Sequence, residues 1–272
     1  VSTEELEARA ELSFLASALR AHLEWQAACG AVSLPLAQPA ADGAVVGVPA
    51  PVTGGTGGTA PAADLAAARS SSALEPRVVD SATQHRLSVL RDEIAACTRC
   101  GLHAARTQTV FARGSGASGL CFVGEGPGAD EDAQGLPFVG AAGQLLDKMI
   151  GAMGFERDEV YVCNIVKCRP PKNRAPEPDE MAACMPYLVE QLELVGPQVI
   201  VALGKTAVQG LFGSVESITK IRGRWRLYKG KIAVMPTFHP AYLLRTPAAK
   251  REVWADLQAV LKHLGRAVPA RS

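Results

Sequence analysis

Three short segments carry residues that could act together on a flat, polar ligand. The first is Gly124-Glu125-Gly126-Pro127-Gly128, followed by Asp130, Glu131 and Asp132 and then by Phe138. Glycines let the backbone approach a ligand closely. Phe138 offers a flat stacking face. The spacing G-x-G-P-G fits neither a Walker loop nor a dinucleotide fingerprint, and the carboxylates would repel phosphate. The second segment, Val162 to Pro171, contains Asn164. An amide presents a donor beside an acceptor, the complement of a pyrimidine edge. The plain alternative is a structural Asn holding a neighbouring loop, because a buried amide needs partners. The third is Thr237-Phe238-His239-Pro240, with Tyr242, Leu243, Leu244 and Arg245 behind it. His239 is a candidate catalytic group. The apolar residues after it could enter a base stack or cover the core beneath the last helix.

Cysteine supplies a further constellation. Cys97 and Cys100 form a CxxC pair, and Cys168 and Cys184 follow far downstream with fifteen residues between them. On spacing alone, a zinc site and an iron–sulfur site are equally open. Cys121 and Cys163 fall inside apolar runs and read as small core residues.

The elements that must position these groups follow from hydrophobic patterning. Apolar runs at 120–124, 160–166, 198–203 and 232–237 read as four buried parallel strands. Helical stretches at 141–153, 178–195, 205–212 and 248–264 alternate with them. A further helix through Leu87, Leu90 and Ile94 runs into Cys97. This alternation predicts an α/β fold, a parallel sheet covered on both faces. The three segments begin where strands end, and ligands of open α/β sheets bind beyond the strands' carboxyl ends.

Ahead of this domain, residues 1–30 read as an amphipathic leader helix able to tether a protein partner. Residues 31–80 read as an Ala/Pro/Gly-rich flexible linker, and residues 81–272 as the globular domain. Residues 1–80 hold 4 Lys/Arg against 9 Asp/Glu, and residues 81–272 hold 24 against 18. A basic domain behind an acidic leader suits a polyanionic partner, though ordinary solvated surface accounts for the charge equally well. No apolar run approaches the ~20 residues of a membrane span, and the acidic N-terminus lacks a signal peptide's basic region. A cytoplasmic location with reduced cysteines is expected.

Together these motifs resemble the family 4, iron–sulfur uracil-DNA glycosylases over residues 84–264. The resemblance rests on the acidic Gly/Pro loop, the Asn164 to Pro171 loop, the His-Pro loop and the four cysteines. It implies a three-layer α/β/α fold with a four-stranded parallel sheet, and a 4Fe–4S cluster on Cys97, Cys100, Cys168 and Cys184. It also implies hydrolytic release of uracil from DNA, double- or single-stranded, by a monomeric enzyme. In that reading Phe138 stacks on the extruded base, Asn164 reads its edge and His239 donates to uracil O2. Glu125 helps place water, and the backbone at Gly126 and Gly128 faces the departing charge. Arg169, Lys172, Arg174, Tyr242, Leu243 and Arg245 face DNA. Other branches of the superfamily carry an Asp where Gly126 stands, so no strong general base is assigned. The missing base keeps a second expectation open, a weakly active or non-catalytic uracil or single-strand binder.

Overall fold

The computed structural model describes residues 80–214 and 216–269, all within the unit Ala68–Ser272. The expected leader helix, and the expected linker up to residue 79, lie outside the described residues.

The four expected strands are present as Leu120–Gly124 (β1), Tyr161–Asn164 (β2), Val199–Leu203 (β3) and Ile232–Thr237 (β5). A fifth strand, Arg226–Tyr228 (β4), pairs antiparallel with β5 at the sheet edge. The sheet order is β2-β1-β3-β5-β4, so the parallel sheet of four is correct and gains one short antiparallel edge. The sequence does not announce β4. Three residues with one buried side chain carry too little alternation to register as a strand.

Register places the site. Gly124 pairs with Asn164, and Leu203 pairs with Thr237. The carboxyl ends of β1, β2, β3 and β5 therefore finish along one rim. Successive strand residues face opposite sides, and both sides are apolar. Phe122, Val162, Val201 and Met235 pack under helices Ala141–Ala152 (α3) and Lys250–His263 (α8). Cys121, Val123, Cys163, Ile200 and Val234 pack under Pro178–Val195 (α4) and Gly204–Phe212 (α5). This is the expected three-layer α/β/α arrangement, and it confirms Cys121 and Cys163 as core residues. The first described helix, Ser81–Ala95 (α1), packs Leu90 and Ile94 against Tyr187 of α4.

Two segments expected as loops contain short helices, Ala129–Gln134 (α2) and Pro240–Arg245 (α7), and a four-residue helix, Ile218–Ile221 (α6), precedes β4. In α2 the acidic residues carry structure. Glu131 Oε2 accepts from Gly128 N at 3.0 Å, and its Oε1 accepts from Val139 N and Gly140 N at 3.0 Å each. Asp132, buried, accepts from Thr107 N. In α7 Pro240 takes the first helical position, where a missing N–H costs nothing.

Candidate active site

A pocket of about 270 Å³ opens at the strand rim. Glu125, Gly126, Phe138, Asn164, Asn173 and His239 are among its lining residues. Three segments separate in sequence thus form one wall, because each follows a parallel strand that ends at the same edge.

Asn164 is the last residue of β2 and is 2% exposed. Its Oδ1 is buried without a protein partner. A buried polar atom left unpaired is costly, so this one is reserved for a ligand or water. Phe138 holds its ring beside the pocket at a backbone φ of 56°, the left-handed region that side chains rarely adopt. Three contacts hold this turn: Glu131 takes the two amides that follow Phe138, and Arg113 Nε donates to the Pro137 carbonyl at 3.2 Å. Gly124 lets the ring and the amide meet. A Cβ there would lie 2.4 Å from Asn164 Oδ1 and 2.5 Å from Phe138 Cζ.

His239 caps α7 by accepting from Ala241 N at Nδ1, 3.1 Å. That bond fixes the tautomer, leaving the proton on Nε2. Burial, with Arg245 nearby and only partly offset by Glu131, pushes the imidazole from its ordinary 6.5 down to about 4. At neutral pH His239 is an uncharged N–H donor. The imidazole and Phe138 rings lie 5.6 Å apart. Glu125, just past β1, accepts a short hydrogen bond from the Thr206 hydroxyl on α5. Sequence reasoning missed Thr206, Glu131 and Arg113. Thr206 and Arg113 meet their partners across long sequence separations, while Glu131 reads in sequence as one more carboxylate of the acidic ligand loop. Its place three residues after Gly128 was the one available signal, a capping pattern.

Some expected residues sit differently. The Gly128 N–H is committed to Glu131 and is not free to face a ligand. Leu243 is 1% exposed and belongs to the core; Tyr242 and Leu244 are the exposed apolar side chains of α7. Arg174 lines the pocket, but its guanidinium is held by Glu180 through bonds of 2.7 and 2.6 Å. Arg169 is half-buried and bonds Asn173 Oδ1 at 2.7 Å, while Lys172 and Arg245 are exposed.

The Uracil DNA glycosylase superfamily profile matches residues 111–258, a stretch containing Glu125, Phe138, Asn164 and His239. A type-4 uracil-DNA glycosylase of Thermotoga maritima is 48% identical over 175 residues, 63% of this chain and 91% of its own length. Those of Sulfurisphaera tokodaii and Saccharolobus solfataricus are 42% and 41% identical, over 64% and 65% of this chain and 83% and 86% of theirs. The chain belongs to the type-4 uracil-DNA glycosylase family.

Cys97, Cys100, Cys168 and Cys184 line one pocket between α1, α4 and the end of β2. Among the described residues, no three His, Cys, Asp or Glu side chains form a group that could hold a metal ion as they stand. The donor set is nevertheless suited to thiolates. Arg106 Nη1 donates to Cys168 Sγ at 3.2 Å, Lys167 N to Cys184 Sγ at 3.3 Å, and Arg99 N to Cys97 Sγ at 3.5 Å. Hydrogen bonds to sulfur of this kind tune thiolate-held clusters.

Proposed function

We propose that the chain hydrolyses the N-glycosidic bond of deoxyuridine in DNA, releasing uracil and leaving an abasic site. The observation that carries this reading is the unpartnered Asn164 Oδ1, buried in one pocket with Phe138 and the His239 donor. A base inside a duplex cannot reach such a pocket, so the nucleotide is extruded first, at a cost of about a few kcal/mol.

Once seated, uracil stacks on Phe138, and Asn164 pairs with its N3–H and O4. Cytosine would oppose the amide with its N4 amine. As the C1′–N1 bond breaks, its electron pair leaves with uracil and negative charge grows at O2. The His239 Nε2–H donates there. A neutral imidazole suffices, because its Nε2–H stabilises the developing charge by a hydrogen bond without giving up the proton. Such a donor is worth roughly 3–4 kcal/mol in the transition state. Water then bonds to C1′ and loses its proton to solvent. Glu125, held by Thr206, orients that water. Gly126 has no side chain, so no carboxylate base takes part at that position. No lysine is among the pocket-lining residues, so no Schiff base forms and the abasic strand stays uncut.

Exposed Tyr242, Leu244, Lys172 and Arg245 surround this rim and meet the DNA. Cys97, Cys100, Cys168 and Cys184 would hold a 4Fe–4S cluster, whose contribution is structural, clipping α1 and α4 to the 169–174 loop. All four cysteines line one pocket, which supports a single shared site. The experiment is single-turnover excision from uracil-containing oligonucleotides. Asn164→Ala and His239→Ala should each lower the rate by about 10²–10³. Near-wild-type rates in both would sink the assignment, and binding without excision in the parent protein would establish the non-catalytic alternative.

A further inference from the structure

Lys167 is the most anomalous charged group among the described residues. It is 0% exposed, deeper than any other ionic side chain described. Its Nζ makes one hydrogen bond, to the main-chain carbonyl of Asn164 at 2.8 Å. An ammonium has three N–H groups to satisfy, and no carboxylate pairs with this one among the described residues. A buried, unpaired charge is among the most destabilising features a fold can contain. A buried ammonium is tolerated where an anion lies close by.

The groups that feel its charge are sulfurs, Cys121, Cys163 and Cys184. Lys167 lines the cysteine pocket, and its own amide donates to Cys184 Sγ. Arg106 is a second cation there, bonded to Cys168 Sγ and to the Cys97 and Ala95 carbonyls, again without a carboxylate. Four thiolates around a dicationic metal core carry a net charge of about −2. Two cations facing a dianion balance; two cations facing four neutral thiols do not.

We infer that Lys167 is a buried counter-charge shared by two sites: it balances the anionic centre on the four cysteines and ties that centre to the base-reading end of β2. The inference rests on the cluster proposed above. Lys167 spans the two sites by neighbouring Cys168 in the chain and by holding the Asn164 carbonyl. It is a positioning residue and touches no substrate.

The test uses protein purified anaerobically, comparing the parent with Lys167→Met and Lys167→Arg. The readouts are iron per chain, the rate at which the visible absorption bleaches in air, the reduction potential and the melting temperature. With Lys167→Met, bleaching should be several-fold faster. The potential should fall, because the reduced, more negative centre loses a nearby positive charge, and melting should also fall. Lys167→Arg, which keeps the charge, should stay near the parent in potential. If Lys167→Met does not fold, Lys167→Gln replaces it in the same comparison. A potential and bleaching rate unchanged in the neutral variant would overturn the inference while leaving the cluster in place. So would a rise in melting temperature, since it would mean the charge had no anion to balance. A parent protein without iron would overturn the cluster and the inference together.

Discussion

Replacing Gly124 with alanine tests the pocket with a single methyl group. Gly124 closes β1, and its φ is not in the left-handed region, so the backbone itself accepts a side chain. Space is the obstacle. The new Cβ would sit 2.4 Å from Asn164 Oδ1 and 2.5 and 2.8 Å from two ring carbons of Phe138. Carbon atoms rest about 3.5–4.0 Å apart, so the ring and the amide must each retreat by about 1 Å. Overpacking of this kind costs about 1–3 kcal/mol of stability. Catalysis suffers too, because a misplacement of about 1 Å can cost about 10²-fold in rate. The assay is single-turnover cleavage of a labelled duplex holding one U·G pair, with alkali to reveal abasic sites, alongside a thermal melt. The expected result is a folded protein, a few degrees less stable, with excision reduced by about two orders of magnitude. Wild-type excision with unchanged melting would refute the claim that Phe138 and Asn164 together hold the base.

Other consequences concern the same rim. Because His239 is held down to about 4, excision should show no inflection near pH 6.5 and should fail only toward pH 4; a rate that rises as pH drops through 6.5 would mean that the imidazolium is the active form. The same depression affects stability. The unfolded chain takes up the proton first as pH falls from 6.5, so His239 costs stability increasingly between pH 6.5 and 4 and nothing above that window; a His239→Ala variant should melt with a weaker pH dependence there. Thr206→Val removes the hydroxyl that orients Glu125, and should lower the excision rate at saturating enzyme with little change in DNA affinity; loss of affinity alone would count against that role. Leu243→Ala should destabilise the fold by about 2–5 kcal/mol, whereas Tyr242→Ala, which removes a partly exposed ring packed on Phe238, should lower melting less and weaken duplex excision.

The parts of the molecule legible in its sequence are those set by local pattern. Continuous apolar runs betray β1, β2, β3 and β5 because a parallel sheet buried on both faces leaves no polar alternation. Once those strands are placed, Glu125, Asn164 and His239 fall at one rim by topology alone. What stayed hidden depends on partners distant in the chain or on short geometry. Thr206 reaches Glu125 across 81 positions. Lys167 reads as one more basic residue of a surface loop, yet the chain turns it inward to bond the Asn164 carbonyl. The acidic run 130–132 looked like a ligand loop, and its carboxylates serve as caps that build the pocket wall. Leu243 could not be told from Tyr242 and Leu244 until α7 assigned them to opposite sides.

The central claim is that this pocket breaks the bond between uracil and its sugar, and the direct measurement is of the products. Incubated in excess with an oligonucleotide containing one deoxyuridine, the parent protein should release one equivalent of free uracil, detected by mass spectrometry. It should leave an alkali-labile strand and leave the thymine-containing control intact. Tight binding of the uracil strand with no free base and no alkali-labile site would contradict the account.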